Sequence, residues 1–531
     1  MRKGTQVING TEYVYEDKPY WDSDKKRGTH KRVYIGKNVN GEFIPNKKYL
    51  LQQELAATKA NMKPGPVPTE TCTRTFYGAT YLLDEIGSKT GITYDLKTCF
   101  PDDYNAILSL AYFLVLENAM PIYRFKRWAL SHEHPFGKDI PSQRSSELFG
   151  RIQEDAKMEF FRKQAKRRLE AEFLAYDTTS ISSYSELIKF AKYGKNKEHD
   201  HLPQINLALL LGESTRLPAY YRKLPGNITD VKTLENLLKD IDFLQLDKVK
   251  IVMDRGFYSE ANINRLFHDH HKFLIGVKTS LKFVRQKLDD IRDNFATRSN
   301  YHSGTKLYIQ SFTMDWNYEE QKPRTGELIK DTRRIYLHFY YNDQHATDDK
   351  NAFNHMLDTL ETELLSGHRN PEHEKLYTKY YDIHTTPIRG MKFAPKQEAI
   401  DDAEKDFGFF ALMSNSIKEP VEALNIYRSK DLIEKAFGDL KERLNMRRES
   451  VSSDENLEGK LFVQFVALIY LCYIKKAMED NNLFKTYSMQ EFLDELDIIE
   501  RFHQPGKQPC LGEITEKQKM LYKYMGVNEP T

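Results

Sequence analysis

The run Val249-Lys250-Ile251-Val252-Met253-Asp254-Arg255-Gly256-Phe257-Tyr258 is short and largely apolar, and it ends on an aspartate followed by a glycine-containing turn. Its length and β-branched content predict a buried strand over residues 248–253. A helix over Ser259 to His268 and a further strand over Lys272 to Lys278 follow. Upstream, strands are expected at Glu172 to Ser182, Gln204 to Gly212 and Leu217 to Arg222, then a turn at Pro225-Gly226-Asn227 and a helix from Val231 to Ile241. Three neighbouring strands followed by strand–helix alternation predict an α/β fold, a mixed sheet flanked by helices.

Beyond residue 280 this rhythm breaks. Strands at Lys306 to Thr313, Arg334 to Tyr341 and Tyr377 to Ile383 and a polar helix from Asp349 to Leu365 suggest a β-rich insertion over 281–405. The α/β pattern returns with a strand at Phe407 to Met413, a helix from Ala423 or Asn425, and an apolar helix over Leu461 to Met478. Before the sheet, Asp102 or Asp103 can cap an apolar helix from Tyr104 to Asn118, and a basic helix runs from about Arg151 to Leu169. The first fifty residues alternate aromatic or β-branched with polar residues, with turns at Arg27-Gly28 and Asn40-Gly41, which predicts a small β-hairpin unit. Pro64, Pro66 and Pro68 mark an extended linker after it. The expected divisions are therefore 1–68, a helical region 69–170, the first part of the core 171–280, the insertion 281–405, the second part of the core 406–480, and a helical tail 481–531.

The 79 basic and 77 acidic residues leave a net charge of +2 over 531 residues, so any nucleic-acid surface must be a local patch. One candidate patch is Lys25, Lys26, Arg27, Lys31 and Arg32, which could follow a phosphate backbone or form a solvated basic loop. The four cysteines are far apart and form no CxxC pair, which excludes a disulfide framework and points to a reducing compartment. The apolar run near Leu461 to Ile474 contains Gln464 and is expected to be too short for a membrane span, so a cytoplasmic protein is predicted.

Two aspartates stand where buried strands should be apolar: Asp177 within Phe173-Leu174-Ala175-Tyr176-Asp177-Thr178-Thr179, and Asp254 at the end of the opening run. Each could cap a loop instead. Further on, residues 427–441 read as one helix. At about 100° per residue from Tyr427, Lys430 falls near 300°, Glu434 near 340° and Lys441 near 320°, beside an apolar face of Ile433, Ala436, Phe437 and Leu440. That stripe could be a solvated face with a Lys430–Glu434 pair. Two aspartates and a glutamate are also the ligand set for paired Mg²⁺ or Mn²⁺ ions. His199-Asp200-His201 and His268-Asp269-His270-His271 lack zinc spacing, and Gly276-Val277-Lys278-Thr279 lacks the frame of a nucleotide-binding loop, so no nucleotide cofactor is expected. Asp431 lies off the stripe, as a surface or capping residue.

These residues resemble the DDE transposases of the bacterial IS-four superfamily, marked by Tyr-x2-Arg-x3-Glu-x6-Lys. Tyr427, Lys430, Glu434 and Lys441 stand at its four positions, with Lys430 where arginine is usual. Asp177-Thr178-Thr179 and Asp254-Arg255-Gly256-Phe257-Tyr258 are similar to the first and second aspartate motifs, separated by 77 residues, with 180 more to Glu434. The resemblance implies an RNase H-like catalytic core. It places Asp177 on the first strand, Asp254 after the fourth and Glu434 on a later helix, together holding two Mg²⁺ or Mn²⁺ ions. It also implies cut-and-paste transposition, with cleavage of insertion-sequence ends and strand transfer into target DNA. Terminal inverted repeats and target DNA would be the partners of a homodimer, with Tyr427, Lys430 and Lys441 on the DNA and no membrane partner; in a bacterium the protein would then associate with the nucleoid. Two rival readings use the same residues: a silent descendant that represses by binding terminal repeats, or a nuclease of this fold without strand transfer.

Overall fold

The computed structural model describes the chain apart from residues 1, 9–10, 23–26, 40, 61–71, 169–171, 186, 195–201, 245–248, 322–327, 387–389, 450 and 452. It divides into two units, one of Met1–Glu85, Arg124–Asp139 and Asn481–Thr531, the other of Ile86–Tyr123 and Ile140–Asp480.

The second unit is built on a ten-stranded sheet. Its principal strands are β1 (Phe173–Ser183), β2 (Gln204–Gly212), β3 (Pro218–Pro225), β4 (Lys250–Met253), β5 (Lys272–Val277), β6 (Leu307–Gln321), β7 (Leu328–Tyr341) and β8 (Phe409–Ser414), in the order β3-β2-β1-β4-β5-β8-β7-β6. β1 to β3 form an antiparallel meander; β4 lies parallel to β1, and β5 parallel to β4. The helices α1 (Tyr104–Leu116), α2 (Glu154–Arg168), α3 (Asp230–Phe243), α4 (Glu260–His268), α5 (Pro420–Arg428), α6 (Asp431–Gly438) and α7 (Asp454–Asp480) belong to this unit. α3 and α4 each link one strand to the next parallel one, as such crossovers require. Ser259 caps α4 by accepting from the Asn262 N–H at 3.1 Å.

The segment expected as an insertion is part of this sheet. β6 and β7 pair along fourteen positions, and the end of β7 pairs with β8, so the long hairpin of the segment 281–405 extends the core sheet. The strand expected over Tyr377 to Ile383 is instead a helix, Glu374–Tyr380, followed by a strand, Tyr381–Thr386. Tyr377, Tyr380 and Tyr381 join Phe353, Leu360 and Leu364 in a separate core, and this burial outweighs the β preference of the tyrosines. Asp103 precedes α1 without a capping bond from its side chain and pairs with Arg151 at 2.6 Å.

α7 is longer than the apolar run suggested: 27 residues, apolar enough by composition to cross a membrane. Most of its apolar window, 83%, is buried inside the unit, which accounts for the all-round hydrophobicity. Gln464, the polar interruption, donates to the Leu444 carbonyl at 2.8 Å.

In the first unit the predicted hairpin is a four-stranded antiparallel meander of Arg2–Ile8, Thr11–Asp22, Arg27–Val39 and Glu42–Pro45, followed by a helix, Lys47–Ala60. The prolines 64, 66 and 68 lie outside the described residues. The tail expected to be helical also holds strands: Glu500–His503 pairs with Thr73–Phe76 and with Cys510–Leu511.

Candidate active site

Strand register brings the two aspartates together. In the parallel pair β1·β4, Tyr176 is aligned with Met253, so the next residues, Asp177 within β1 and Asp254 just beyond the end of β4, lie side by side. Alternation sends Tyr176 to one face, where it packs on Phe257 and donates to the Thr233 carbonyl of α3 at 3.3 Å. Asp177 and Asp254 take the other face.

α5 covers that face. Ala423 and Leu424 pack with Val252, Leu274 and Leu412, and Tyr427 lies against the same cluster. The Tyr427 hydroxyl donates to Asp254 Oδ1 at 2.8 Å. Gly276 makes this possible: a Cβ there would stand 2.7 Å from the Tyr427 hydroxyl oxygen. Gly276, in a run that lacks the frame of a nucleotide-binding loop, instead gives room for a tyrosine on a neighbouring element.

The expected single helix over 427–441 is three pieces. α5 ends at Arg428, α6 begins at Asp431, and a π-helical turn covers Asp439–Arg443. Between α5 and α6 the bonds tighten to the i−3 pattern, with Lys430 N–H to the Tyr427 carbonyl and Ile433 N–H to the Lys430 carbonyl. This break carries Lys430 inward, to 8% exposure. Its Nζ lies 3.2 Å from Asp254 Oδ2 and 3.6 Å from Glu434 Oε1. The Lys430–Glu434 pair of the solvated-face reading therefore exists, but its lysine is buried and shared with Asp254. Ile433, Ala436, Phe437 and Leu440 are buried as expected, Asp431 is exposed, and Glu434 keeps 59% of its side chain exposed. Lys441 follows onto the π turn, whose wider winding takes it off the phase of an unbroken α-helix.

Burial alone would raise the Asp254 pKa, but the Lys430 ammonium, the Tyr427 hydroxyl and the Arg255 N–H outweigh it and hold the carboxyl below its usual value. The same carboxylate, after burial, pushes the Tyr427 phenol well up, with Asp177 adding in the same direction. Tyr427 is thus a lasting hydrogen-bond donor at neutral pH. Asp177, half-buried, accepts from the Thr178 N–H at 2.8 Å. A cleft of about 470 Å³ opens beside Asp254 and Tyr427, with Arg255, Lys278 and Arg428 on its wall.

The other candidates lie elsewhere. Lys25 and Lys26 fall outside the described residues. Arg27, Lys31 and Arg32 share one strand, and alternation puts Arg32 on the opposite face from the other two, over the Tyr15 ring at 4.7 Å. His199, Asp200 and His201 are outside the described residues, while His268 pairs with Asp269 at 2.6 Å at the end of α4.

Residues 168–470, more than half of the chain, match the family described as Transposase DDE domain. The protein belongs to that family. No curated protein matches the chain. Among solved structures, a piggyBac transposase synaptic complex with hairpin DNA is 11% identical, covering 84% of this chain and 75% of its own, at a TM-score of 0.33. The Mos1 mariner paired end complex with Mn is 14% identical, covering 48% of this chain and 68% of its own, at a TM-score of 0.11.

DDE transposases generally use divalent metal ions. Among the described residues, no three His, Cys, Asp or Glu side chains converge closely enough to hold one. The donor chemistry of Asp177, Asp254 and Glu434 nevertheless fits a hard divalent ion, and a cation, the Lys430 ammonium, already stands between two of them.

Proposed function

We propose that this protein is a transposase of the IS-four superfamily that cleaves DNA at insertion-sequence ends and joins those ends to target DNA, by cut and paste, on an RNase H-like core. The observation that carries the reading is the register that sets Asp177 beside Asp254 on first and fourth strands, under the helix bearing Glu434. The meander followed by two parallel crossovers supports the fold assignment.

Asp177, Asp254 and Glu434 would hold two Mg²⁺ or Mn²⁺ ions, which when bound supply Lewis-acid stabilisation of the phosphodiester and an activated water or 3′ hydroxyl. The chain's own residues orient that site. Tyr427 fixes the Asp254 carboxylate by its hydrogen bond, and the packed face of α6 keeps Glu434 over the sheet. Lys430 and Lys441 supply positive charge for the DNA backbone, and Arg27, Lys31 and Arg32 contribute to end recognition through phosphate contacts. The partners are duplex terminal repeats and target DNA, with a homodimer pairing two ends in a bacterial cytoplasm.

The test is incubation with Mn²⁺ and a duplex ending in the element's own flanking repeat. Nicking at the repeat terminus, followed by joining to a second duplex, is the expected result. Nicking without joining would leave the nuclease reading, and terminal-repeat binding without nicking would leave the repressor reading.

A further inference from the structure

Lys430 sits where an exposed helix lysine would not. Its side chain is buried, its ammonium lies 5.7 Å from the centre of the Tyr427 ring, and its two carboxylate partners come from different elements, Asp254 after β4 and Glu434 on α6. An ammonium shared by two carboxylates offsets their mutual repulsion and holds them in place. It also takes up space that an incoming cation needs, because Mg²⁺ draws its oxygen ligands in to about 2.1 Å. Asp254 and Glu434 cannot both close on a divalent ion while Lys430 stays between them.

We propose that Lys430 is the built-in counter-ion of the metal-free site. It keeps Asp254 and Glu434 positioned before a metal arrives, competes with that metal, and is displaced by it towards the DNA backbone. Lys430 is thus a positioning residue that couples metal entry to phosphate capture. This rests on the reading of Asp177, Asp254 and Glu434 as metal ligands.

The experiment measures Mn²⁺ binding to the full chain without DNA, by electron paramagnetic resonance of the free ion, for wild type, Lys430→Met, Lys430→Arg and Asp254→Asn. Lys430→Met should bind Mn²⁺ about tenfold more tightly than wild type, the scale on which groups around metal ligands act. Lys430→Arg should stay near wild type, and Asp254→Asn should lose the site. Equal affinity of Lys430→Met and wild type, with loss in Asp254→Asn, would overturn the counter-ion role and leave the metal site standing. Binding unchanged by Asp254→Asn would overturn both. A second readout needs no variant: acetylation of Lys430 by a water-soluble amine reagent, followed by mass spectrometry, should speed up several-fold on Mn²⁺ addition. An unchanged rate while Mn²⁺ is bound would contradict displacement.

Discussion

Two charge clusters in the same unit invert each other. At the edge strand β3, one carboxylate, Glu458 of α7, is shared by two buried ammonium groups, Lys157 at 2.8 Å and Lys223 at 3.1 Å. Over β4, one buried ammonium, Lys430, is shared by two carboxylates, Asp254 at 3.2 Å and Glu434 at 3.6 Å. The edge cluster borders a cavity of about 520 Å³, comparable to the cleft beside Asp254, yet its bases and acids answer one another: Lys157 also meets Glu154, Lys223 also meets Asp454, and Arg222 pairs with Asp240. Glu458 is held below its usual pKa, burial being outweighed by the two lysines. Cavity size and charge density therefore do not distinguish the clusters. What differs is the degree of imbalance: at the edge three carboxylates face two lysines, each lysine held between two of them, whereas over β4 two carboxylates share a single lysine, and the higher ratio leaves more negative charge per ammonium for another cation to meet.

The largest effect should come from the carboxylate-rich cluster. Asp177→Ala, Asp254→Ala and Glu434→Ala should each lower end cleavage by at least about 10³-fold while binding to end DNA stays near wild type, as read by nicking and mobility-shift assays. Normal strand transfer by Glu434→Ala would break the comparison at its root. The mirror-image change, Glu458→Ala, should act on folding: about 3 kcal/mol lost, seen in denaturant melts, because two lysines are left under-compensated in a buried place. Its cleavage per folded molecule should match wild type.

A subtler change sharpens the carboxylate cluster itself. Gly276→Ala puts a methyl against the Tyr427 hydroxyl, so the bond to Asp254 must shift, and cleavage should fall roughly tenfold or more with little change in end binding. The smallest effect should be on pH dependence. A carboxyl held below its unfolded pKa, about 3.9 for Asp, contributes stability above that value and loses it as pH falls through the folded pKa. Melts of wild type and Asp254→Asn between about pH 2 and 5 should therefore converge on acidification. Parallel curves would show that Lys430 and Tyr427 give Asp254 no net stabilisation.

Much of this was legible from residues alone. Short, largely apolar runs bounded by turn residues carried β1, β2, β4 and β5 to within a few residues. They also singled out Asp177 and Asp254, since a carboxylate in a buried run stands out against its neighbours. The apolar face of α6 was equally readable, because Ile433, Ala436, Phe437 and Leu440 recur at helical spacing. Spacing could not show that the helix breaks at Ser429 and Lys430 or that it widens into a π turn, since both run through residues that suit an ordinary helix. The insertion's place in the core sheet was hidden as well, because pairing between β7 and β8 joins strands some seventy residues apart and leaves no mark in either.

The sequence by itself determined which groups carry charge and which strand positions they occupy, because side-chain chemistry and the run of apolar neighbours are properties of the chain. Only the tertiary structure decided which charges share a partner. Gly276 on one strand admits the hydroxyl of Tyr427, and the broken helix turns Lys430 inward between an aspartate 176 residues earlier and a glutamate one turn later. Ion pairing depends on distance in space, and distance in space is set by packing rather than by spacing along the chain.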